Sequence, residues 1–168
     1  EGGGTPKLAE LRLHNGTIYR WNRPVYDINA GVPHLRVENR VLAAGPTVAD
    51  TIANAAFYFG LVRALAESER PLWSQMSFSA AEENFHVAAQ QGIDAQVYWP
   101  GGGQVQTTEL VLRRLLPMAQ QGLEAWGATG AEIDRMLGII EQRCLTGRNG
   151  AEWFARQTHQ RTDADRYD

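Results

Sequence analysis

The hydrophobic period of this chain changes at Pro46, and that change restricts the possible fold more than any other feature. Residues 34–41 alternate between polar and apolar side chains, which predicts a half-buried β-strand with one polar face. Beyond Pro46, apolar residues recur at helical spacing, and Thr47 can cap a helix whose first turn contains Asp50. A strand region followed by a helical region predicts an α+β fold.

The strand region is expected to begin with a hairpin. Residues 11–14 and 17–21 have the composition of short strands, and they flank Asn15-Gly16. This dipeptide favours positive φ at both positions and is typical of a tight hairpin turn. Residues 24–33 contain two prolines and Gly31, which predicts a loop.

The helical region is divided by capping and breaking residues. The first helix is expected to be deeply buried and to end at Arg70-Pro71. Gly92 is a suitable end for the second helix, and residues 93–106 can form a short hairpin around a glycine-rich turn. A kink is expected at Pro117. Gly147 can end the later helix that starts after Thr129. The predicted caps, in chain order, are Thr47, Ser79, Thr107 or Thr108, Thr129 and Asn149.

Size and composition indicate one soluble domain over residues 1–168, with strands and loops mainly in 1–45 and helices mainly in 46–160. The chain has 168 residues, is 43% hydrophobic and carries a net charge of -3. The near-neutral charge gives no support for a nucleic-acid partner, and no apolar run approaches the ~20 residues that span a membrane. Cys144 is the only cysteine, which excludes an internal disulfide. We therefore expect a cytoplasmic protein.

Four ionisable side chains fall on the polar face of the predicted strand: His34, Arg36, Glu38 and Arg40. Spacing alone leaves two interpretations open. The arginines and the glutamate can pair with charges across the sheet, which is a purely structural role. Alternatively, the glutamate can hold Mg²⁺ as a hard oxygen ligand while the arginines bind phosphate and carboxylate groups in a bidentate way.

A second cluster of polar residues lies at 20–24, where a strand is expected to enter a loop. Arg23 follows Trp21 and Asn22 and precedes Pro24. Loop positions of this kind often carry binding residues, but an arginine near a tryptophan can equally form a surface cation–π pair. Both interpretations stay open on the sequence of this segment alone.

Taken in order along the chain, these motifs resemble a known family. Arg36-x-Glu38-x-Arg40, a short loop with proline and the helix from Thr47 resemble a strand and helix of glutamine synthetases. The chain resembles more closely the bacterial glutamate–cysteine ligase family 2, whose members are carboxylate–amine ligases with that fold. The segment 21–24 is similar to that family's Trp-x-x-Arg-Pro motif with one residue missing. Residues 83–95 and 145–153 resemble two of its later helical segments.

The resemblance implies part of a glutamine-synthetase-like antiparallel sheet followed by a mostly helical region. It also implies an ATP- and Mg²⁺-dependent ligase that joins the γ-carboxylate of glutamate to an amine, cysteine by default, through an acyl phosphate. In that scheme Glu38 would bind Mg²⁺, and Arg40 would bind the substrate carboxylate or the acyl phosphate. Arg36 would act in catalysis and face the ATP phosphates, with Arg23 a further phosphate ligand. Two alternatives are a non-catalytic assembly module of the same fold and a ligase for another amino acid or amine.

Two departures from the family pattern affect these expectations. The family's other metal-binding acids lie on earlier strands that this sequence lacks. We therefore expect the chain to be the C-terminal part of a larger catalytic domain and to be inactive by itself. A homo-oligomer is a separate expectation. The loop predicted at residues 25–33 is longer than in compact family members, so Tyr26 and Asp27 are candidates for contacts assigned to Arg23.

Overall fold

The computed structural model describes residues 4–17 and 21–160. The chain divides into two compact units, Glu1–Ala43 and Ala44–Asp168. Helices and two small antiparallel sheets make up these units, so the predicted α+β class is confirmed. No helix in the described ranges is long and apolar enough to cross a membrane.

The first unit contains one helix and one hairpin. Helix α1 spans Ala9–Thr17, strand β1 spans Asn22–Asn29 and strand β2 spans Val32–Asn39. The two strands pair antiparallel, with Pro24 opposite Val37 and Asn29 opposite Val32. Ala30 and Gly31 connect them with φ values of 49° and 82°. Positive φ at both central positions is the geometry of the two-residue turns that best match strand twist.

The predicted hairpin around Asn15-Gly16 is wrong. These residues lie near the end of α1, and residues 18–20 of the second predicted strand lie outside the described residues. The Asn15 side chain is buried and donates a hydrogen bond to the Pro24 carbonyl (2.7 Å), while its own carbonyl accepts from Arg23 (2.5 Å). These contacts with β1 outweigh the local turn preference of Asn-Gly.

The predicted loop at residues 24–33 is also wrong, because this segment forms β1, the turn and the start of β2. Both prolines lie within strands, with Pro24 opposite Val37 and Pro33 opposite Ile28. In a two-stranded sheet both strands are edge strands, and proline is tolerated there where its missing N–H would point outward. The true hairpin therefore sits in the segment whose prolines indicated a loop.

The second unit is mainly helical. After α2 (Val48–Ala66) come a 3₁₀ turn (Leu72–Ser74), α3 (Phe78–Gln91) and a second 3₁₀ turn (Gly92–Asp94). Strands β3 (Gln96–Trp99) and β4 (Gly103–Gln106) form a hairpin. It is followed by α4 (Thr107–Leu110), a π turn (Val111–Leu115), α5 (Leu116–Ala125), α6 (Gly130–Thr146) and α7 (Gly150–Gln160).

Most helix ends follow the predicted capping chemistry. The Thr47 hydroxyl accepts from the Asp50 N–H (3.2 Å), Thr129 and Glu132 form a capping box, and Asn149 accepts from the Glu152 N–H (2.9 Å). Gly92 and Gly147 end their helices with positive φ. These caps are confirmed because each depends on a few adjacent residues.

Four details of the helices differ from prediction. Neither Thr107 nor Thr108 caps α4, because its N-cap is Gln106 and the Thr107 hydroxyl donates to the Ala95 carbonyl (2.7 Å). The second helix begins at Phe78, because Ser77 rather than Ser79 caps it through the Ala80 N–H (3.2 Å). The first helix ends at Ala66 rather than at Arg70-Pro71. The interruption expected at Pro117 takes the form of the π turn at Val111–Leu115 directly before α5. Because Pro117 has no main-chain N–H, the helical turn before it cannot keep its regular hydrogen bonds.

The core of the second unit lies where α2, α5 and α6 meet. Its buried residues are Ala53, Val111, Leu116, Ala119, Ile133, Leu137 and Ile140. Helix α2 is not deeply buried as predicted: Val48, Ile52, Phe59 and Val62 are all exposed along one side. The reason is that α5 and α6 cover only the opposite stripe of α2, which includes Ala53 and Gly60.

Helices α2 and α5 approach each other through glycine. A Cβ atom at Gly122 would lie 1.9 Å from the Gly60 carbonyl oxygen, and one at Gly60 would lie 2.2 Å from the Ala119 carbonyl oxygen. Because no side chain separates the backbones at this crossing, neither position has room for a methyl group.

Candidate functional site

The hairpin of the first unit carries three predicted site residues, Arg23, Arg36 and Glu38, on one side of its two strands. Strand pairing places Arg23 opposite Glu38, Val25 opposite Arg36 and Asp27 opposite His34. Because opposite residues in an antiparallel ladder point to the same side, four charged residues and His34 share one face. We call Arg23, Asp27, His34, Arg36 and Glu38 the charged strand face.

Arg23 and Glu38 form the first ion pair on this face. The Arg23 Nε donates to Glu38 Oε2 in a short hydrogen bond, and Arg23 Nη1 donates to the Asn15 carbonyl (2.5 Å). The Arg23 side chain is 23% exposed and that of Glu38 is 39% exposed. The helix α1 and the strand β2 thus hold the Arg23 guanidinium from two sides, while Glu38 remains accessible to solvent.

Asp27 is the centre of a second group of charges. Its carboxylate lies 3.4 Å from Arg12 Nη2 and 3.8 Å from Arg36 Nη1. The Ile28 N–H donates to it (2.8 Å) and is the main cause that lowers the pKa of Asp27, and the charges of Arg12, Arg36 and His34 lower it further. Asp27 is therefore ionised at neutral pH and orients the arginines next to it.

Arg36 lies between Asp27 and His34. Its Nη1 is 2.7 Å from His34 Nε2, and half of its side chain is exposed. An exposed guanidinium held at one edge by other side chains can present its remaining N–H groups to an anion. Arg36 is thus suited to phosphate or carboxylate binding.

Arg40 lies just beyond the last residue of β2. Its main-chain N–H donates to the Trp21 carbonyl (2.9 Å), which extends the pairing of the two strands by one step. Arg40 is half-buried. The structure therefore brings Arg23, Arg36 and Glu38 together on one face and places Arg40 at the end of the strand that carries two of them.

The apolar side of β2 differs from the prediction. Leu35 is 77% exposed and Val37 is 64% exposed, whereas the alternating pattern predicted that both would be buried. Helix α1 packs mainly against β1, so β2 is left without a covering layer among the described residues. The alternation correctly predicted which side chains share a face, but not what covers them.

Three contributors to the site lie beyond the Arg-x-Glu-x-Arg strand. Arg12 and Asn15 come from α1, where a spacing of three residues places both side chains toward β1. Interpreting residues 11–14 as a strand concealed this pair. Asp27 lies within β1 and pairs with Arg12 and Arg36, while its role in contacts assigned to Arg23 stays a prediction. A cavity of about 140 Å³ lies between α1 and β1, lined by Arg12, Asn15, Arg23, Val25, Tyr26 and Asp27.

The residues present fit Mg²⁺ only as part of a site. Among residues 4–17 and 21–160, no group of three or more His, Cys, Asp or Glu side chains could hold a metal ion. Glu38 offers one carboxylate, and Arg23 occupies one of its oxygens. Magnesium commonly takes one or two protein carboxylates, with water and substrate phosphates completing its octahedron. The single carboxylate of Glu38 therefore fits at most one position in the coordination shell of a magnesium ion.

Comparison with known families assigns the chain to a family. A family model described as glutamate-cysteine ligase family 2 matches residues 5–167. The chain belongs to glutamate–cysteine ligase family 2. Membership identifies a ligase kind of enzyme, and the matched range includes the charged strand face together with all of the described helices. No curated protein and no solved structure matches the chain.

Proposed function

We propose that this chain supplies part of the active site of an ATP-dependent ligase that joins the γ-carboxylate of glutamate to an amine, by default that of cysteine. Membership of glutamate–cysteine ligase family 2 supports the ligase reaction. The observation that carries the site assignment is the shared face of Arg23, Arg36 and Glu38, fixed by the register of β1 and β2.

The reaction proceeds in two steps. A glutamate carboxylate oxygen attacks the γ-phosphorus of ATP, the bond from that phosphorus to ADP breaks, and an acyl phosphate forms. The amine nitrogen then attacks the acyl carbon, the carbon–oxygen bond to phosphate breaks, and the nitrogen loses a proton. Both steps build up negative charge on phosphate oxygens, so positioning and charge neutralisation account for most of the catalysis.

The roles of the residues follow from this charge. Arg36 would bind ATP phosphates through its exposed guanidinium, which Asp27 and His34 orient. Arg40 would bind the glutamate carboxylate or the acyl phosphate. Glu38 would be a ligand of Mg²⁺, which supplies charge neutralisation at the phosphates when bound. Arg23 would be a further phosphate ligand or would hold the Glu38 carboxylate in position, as its ion pair does here.

One observation favours a second function. Glu38 is paired with Arg23, and Asp27 is paired with Arg12 and Arg36, so the charges of this face can satisfy one another. A non-catalytic assembly module would retain the face for this purpose alone. In that case substitution of Glu38 would change stability without changing any catalytic rate.

The test is phosphate release from ATP by the full-length gene product. We expect release only when glutamate and an amine are both present. Glu38→Gln, Arg36→Ala and Arg40→Ala should each lower the rate by about 100-fold or more, as expected for loss of a charged group in the transition state. Release without glutamate or without an amine would exclude the ligase reaction.

A matched control is available in the second unit. Glu109 and Arg113 form an exposed ion pair one helical turn apart, at 3.2 Å. Glu109→Gln and Arg113→Ala remove the same functional groups and should leave the rate unchanged. Circular dichroism checks that each variant is folded. Full turnover in Glu38→Gln and Arg36→Ala would reject the site assignment and favour the assembly module.

A further inference from the structure

A groove in the second unit is lined by none of the residues of the charged strand face. It is formed by Pro46 and the first turn of α2, by α6 from Arg135 onward, and by the connection from α6 into the start of α7. Its volume is about 620 Å³, which is within the range of small-molecule sites. Its charged and aromatic lining consists of Asp50, Arg135, Glu141, Arg143, Arg148 and Trp153.

One ion pair fixes the inner wall of the groove. Arg143 Nη2 donates to Asp50 Oδ1 and Arg143 Nη1 donates to Asn54 Oδ1, both at 2.6 Å. The Thr47 hydroxyl and then Arg143 lower the pKa of Asp50, so the carboxylate is ionised and the pair is neutral. Arg143 is therefore a structural residue that joins α6 to α2, and it does not supply the free charge of the groove.

A second contact beside the groove is close packing between the start of α7 and the segment before α2. A Cβ atom at Gly150 would lie 3.1 Å from Cδ of Pro46, so the first residue of α7 lies directly against the segment before α2. Contacts within the second unit therefore join the elements that line the groove.

Two further arginines of the groove, Arg135 and Arg148, carry positive charge without an ion pair among the described residues. Among the described residues, neither Arg135 nor Arg148 has a hydrogen bond or ion pair through its guanidinium. Glu141, which also lines the groove, reduces the excess to one positive charge. Unpaired guanidinium groups at the edge of a concave surface are well suited to phosphate, because their planar N–H groups bind its oxygens in a bidentate way.

Trp153 adds an aromatic surface to these charges. Trp153 is 59% exposed although it lines the groove, so it is accessible to a ligand. Indole rings stack on planar bases with favourable energy, and neighbouring arginines add to that preference. We propose that this groove binds a nucleoside phosphate, with the phosphates at Arg135 and Arg148 and the base on Trp153.

This proposal stands on the groove alone and goes beyond the ligase reaction. The strand residues assigned to ATP and Mg²⁺, Arg36 and Glu38, belong to the first unit, whereas every residue of the groove belongs to the second. Nucleotide binding in the groove needs no carboxylate ligand for a metal ion. It should therefore persist in the presence of a chelator.

The experiment is calorimetric titration of the full chain with ADP in EDTA, with AMP and inorganic phosphate titrated separately. We expect saturable binding of ADP that is at least 10-fold tighter than binding of phosphate. Arg148→Ala, Arg135→Ala and Trp153→Ala should each weaken ADP binding about 10-fold or more, because each removes one of the proposed contacts. These side chains are exposed, so their loss should not prevent folding.

Controls use the same residue types outside the groove. Arg156 pairs with Glu152 on α7, and Trp73 is 83% exposed in the turn between α2 and α3. Arg156→Ala and Trp73→Ala should bind ADP like the unsubstituted chain. Absence of saturable ADP binding, equal affinity for phosphate and ADP, or full affinity in the three groove variants would each overturn the proposal.

Discussion

The glycine contact between α2 and α5 gives the sharpest expectation for stability. In Gly122→Ala the new methyl carbon would lie 1.9 Å from the Gly60 carbonyl oxygen and 2.7 Å from its carbonyl carbon. Both atoms belong to the backbone of a helix, so no rotamer change can relieve the overlap. The two helices must move apart, which separates side chains around the buried Ala119 and Ala53.

The magnitude follows from two opposing effects. Overpacking of a well-packed core lowers the free energy of unfolding by about 1–3 kcal/mol and sometimes more, and the backbone overlap here places the loss at about 3 kcal/mol. Replacing glycine by alanine inside a helix raises the free energy of unfolding by about 1 kcal/mol, because alanine has the higher helix propensity. We therefore expect Gly122→Ala to lower the free energy of unfolding by about 2 kcal/mol, which is a fall in Tm of about 4–8 °C for a chain of this size.

The matched control is Gly138, inside α6. A Cβ atom there would meet no atom within 4 Å, so Gly138→Ala should gain only the helix preference and raise the free energy of unfolding by about 1 kcal/mol. Urea unfolding followed by circular dichroism measures both variants. A Gly122→Ala chain that equals or exceeds the stability of the unsubstituted protein would refute the close contact. In the double variant Gly60→Ala, Gly122→Ala, the second substitution should add little, because the first has already separated the helices.

Two other predictions concern polar contacts. Asp50→Asn should lower the free energy of unfolding by about 1 kcal/mol at neutral pH, since it removes a charged hydrogen bond to Arg143. Folding lowers the pKa of Asp50. The difference in unfolding free energy between the two chains is therefore fully present above the pKa of an unfolded aspartate, near 4, and should vanish as the pH falls through the lower pKa of the folded chain. A difference that stays constant down to pH 2 would contradict this reasoning. Asn84→Ala should destabilise the β3–β4 hairpin by about 1–3 kcal/mol and speed hydrogen exchange at the Tyr98 amide, because the Asn84 side chain bonds both the N–H (2.7 Å) and the carbonyl (2.8 Å) of Tyr98. Asn84→Asp keeps the acceptor for that amide and should protect it better than Asn84→Ala.

The parts of the fold that depend on adjacent residues could be predicted from the sequence. Thr129 with Glu132, Asn149 and Gly147 define helix ends through contacts that span three residues or fewer, and all are confirmed. The short hairpin near residues 93–106 is confirmed for a similar reason, since its turn is rich in glycine.

The errors arise where distant contacts decide the outcome. Asn15-Gly16 has strong turn chemistry, yet contacts with Pro24 and Arg23 place Asn15 in a helix. The prolines at 24 and 33 indicated a loop, although both fit a two-stranded sheet, because both of its strands are edge strands. Leu35 has the pattern of a buried residue, but burial depends on a covering layer that local sequence does not encode.

The candidate site shows the same division. Alternation along β2 correctly grouped His34, Arg36 and Glu38 on one face, because a period of two is a property of the strand itself. The partners of these residues, Arg12 and Arg23, could not be assigned from spacing, since they depend on the hairpin register and on the position of α1. The roles of Arg36, Arg40 and Glu38 in catalysis stay predictions until the variants are assayed.

The bridge from Arg143 to Asp50 has a consequence for how this chain can vary in length. It joins residues 93 positions apart, and α3 and the β3–β4 hairpin lie within the enclosed segment. The entropy of closing a loop grows only with the logarithm of its length, so even doubling that segment would oppose closure by about 0.6 kcal/mol. Relatives should therefore tolerate insertions in the connections around α3 far more readily than changes at the helix crossing, and length variation should concentrate there.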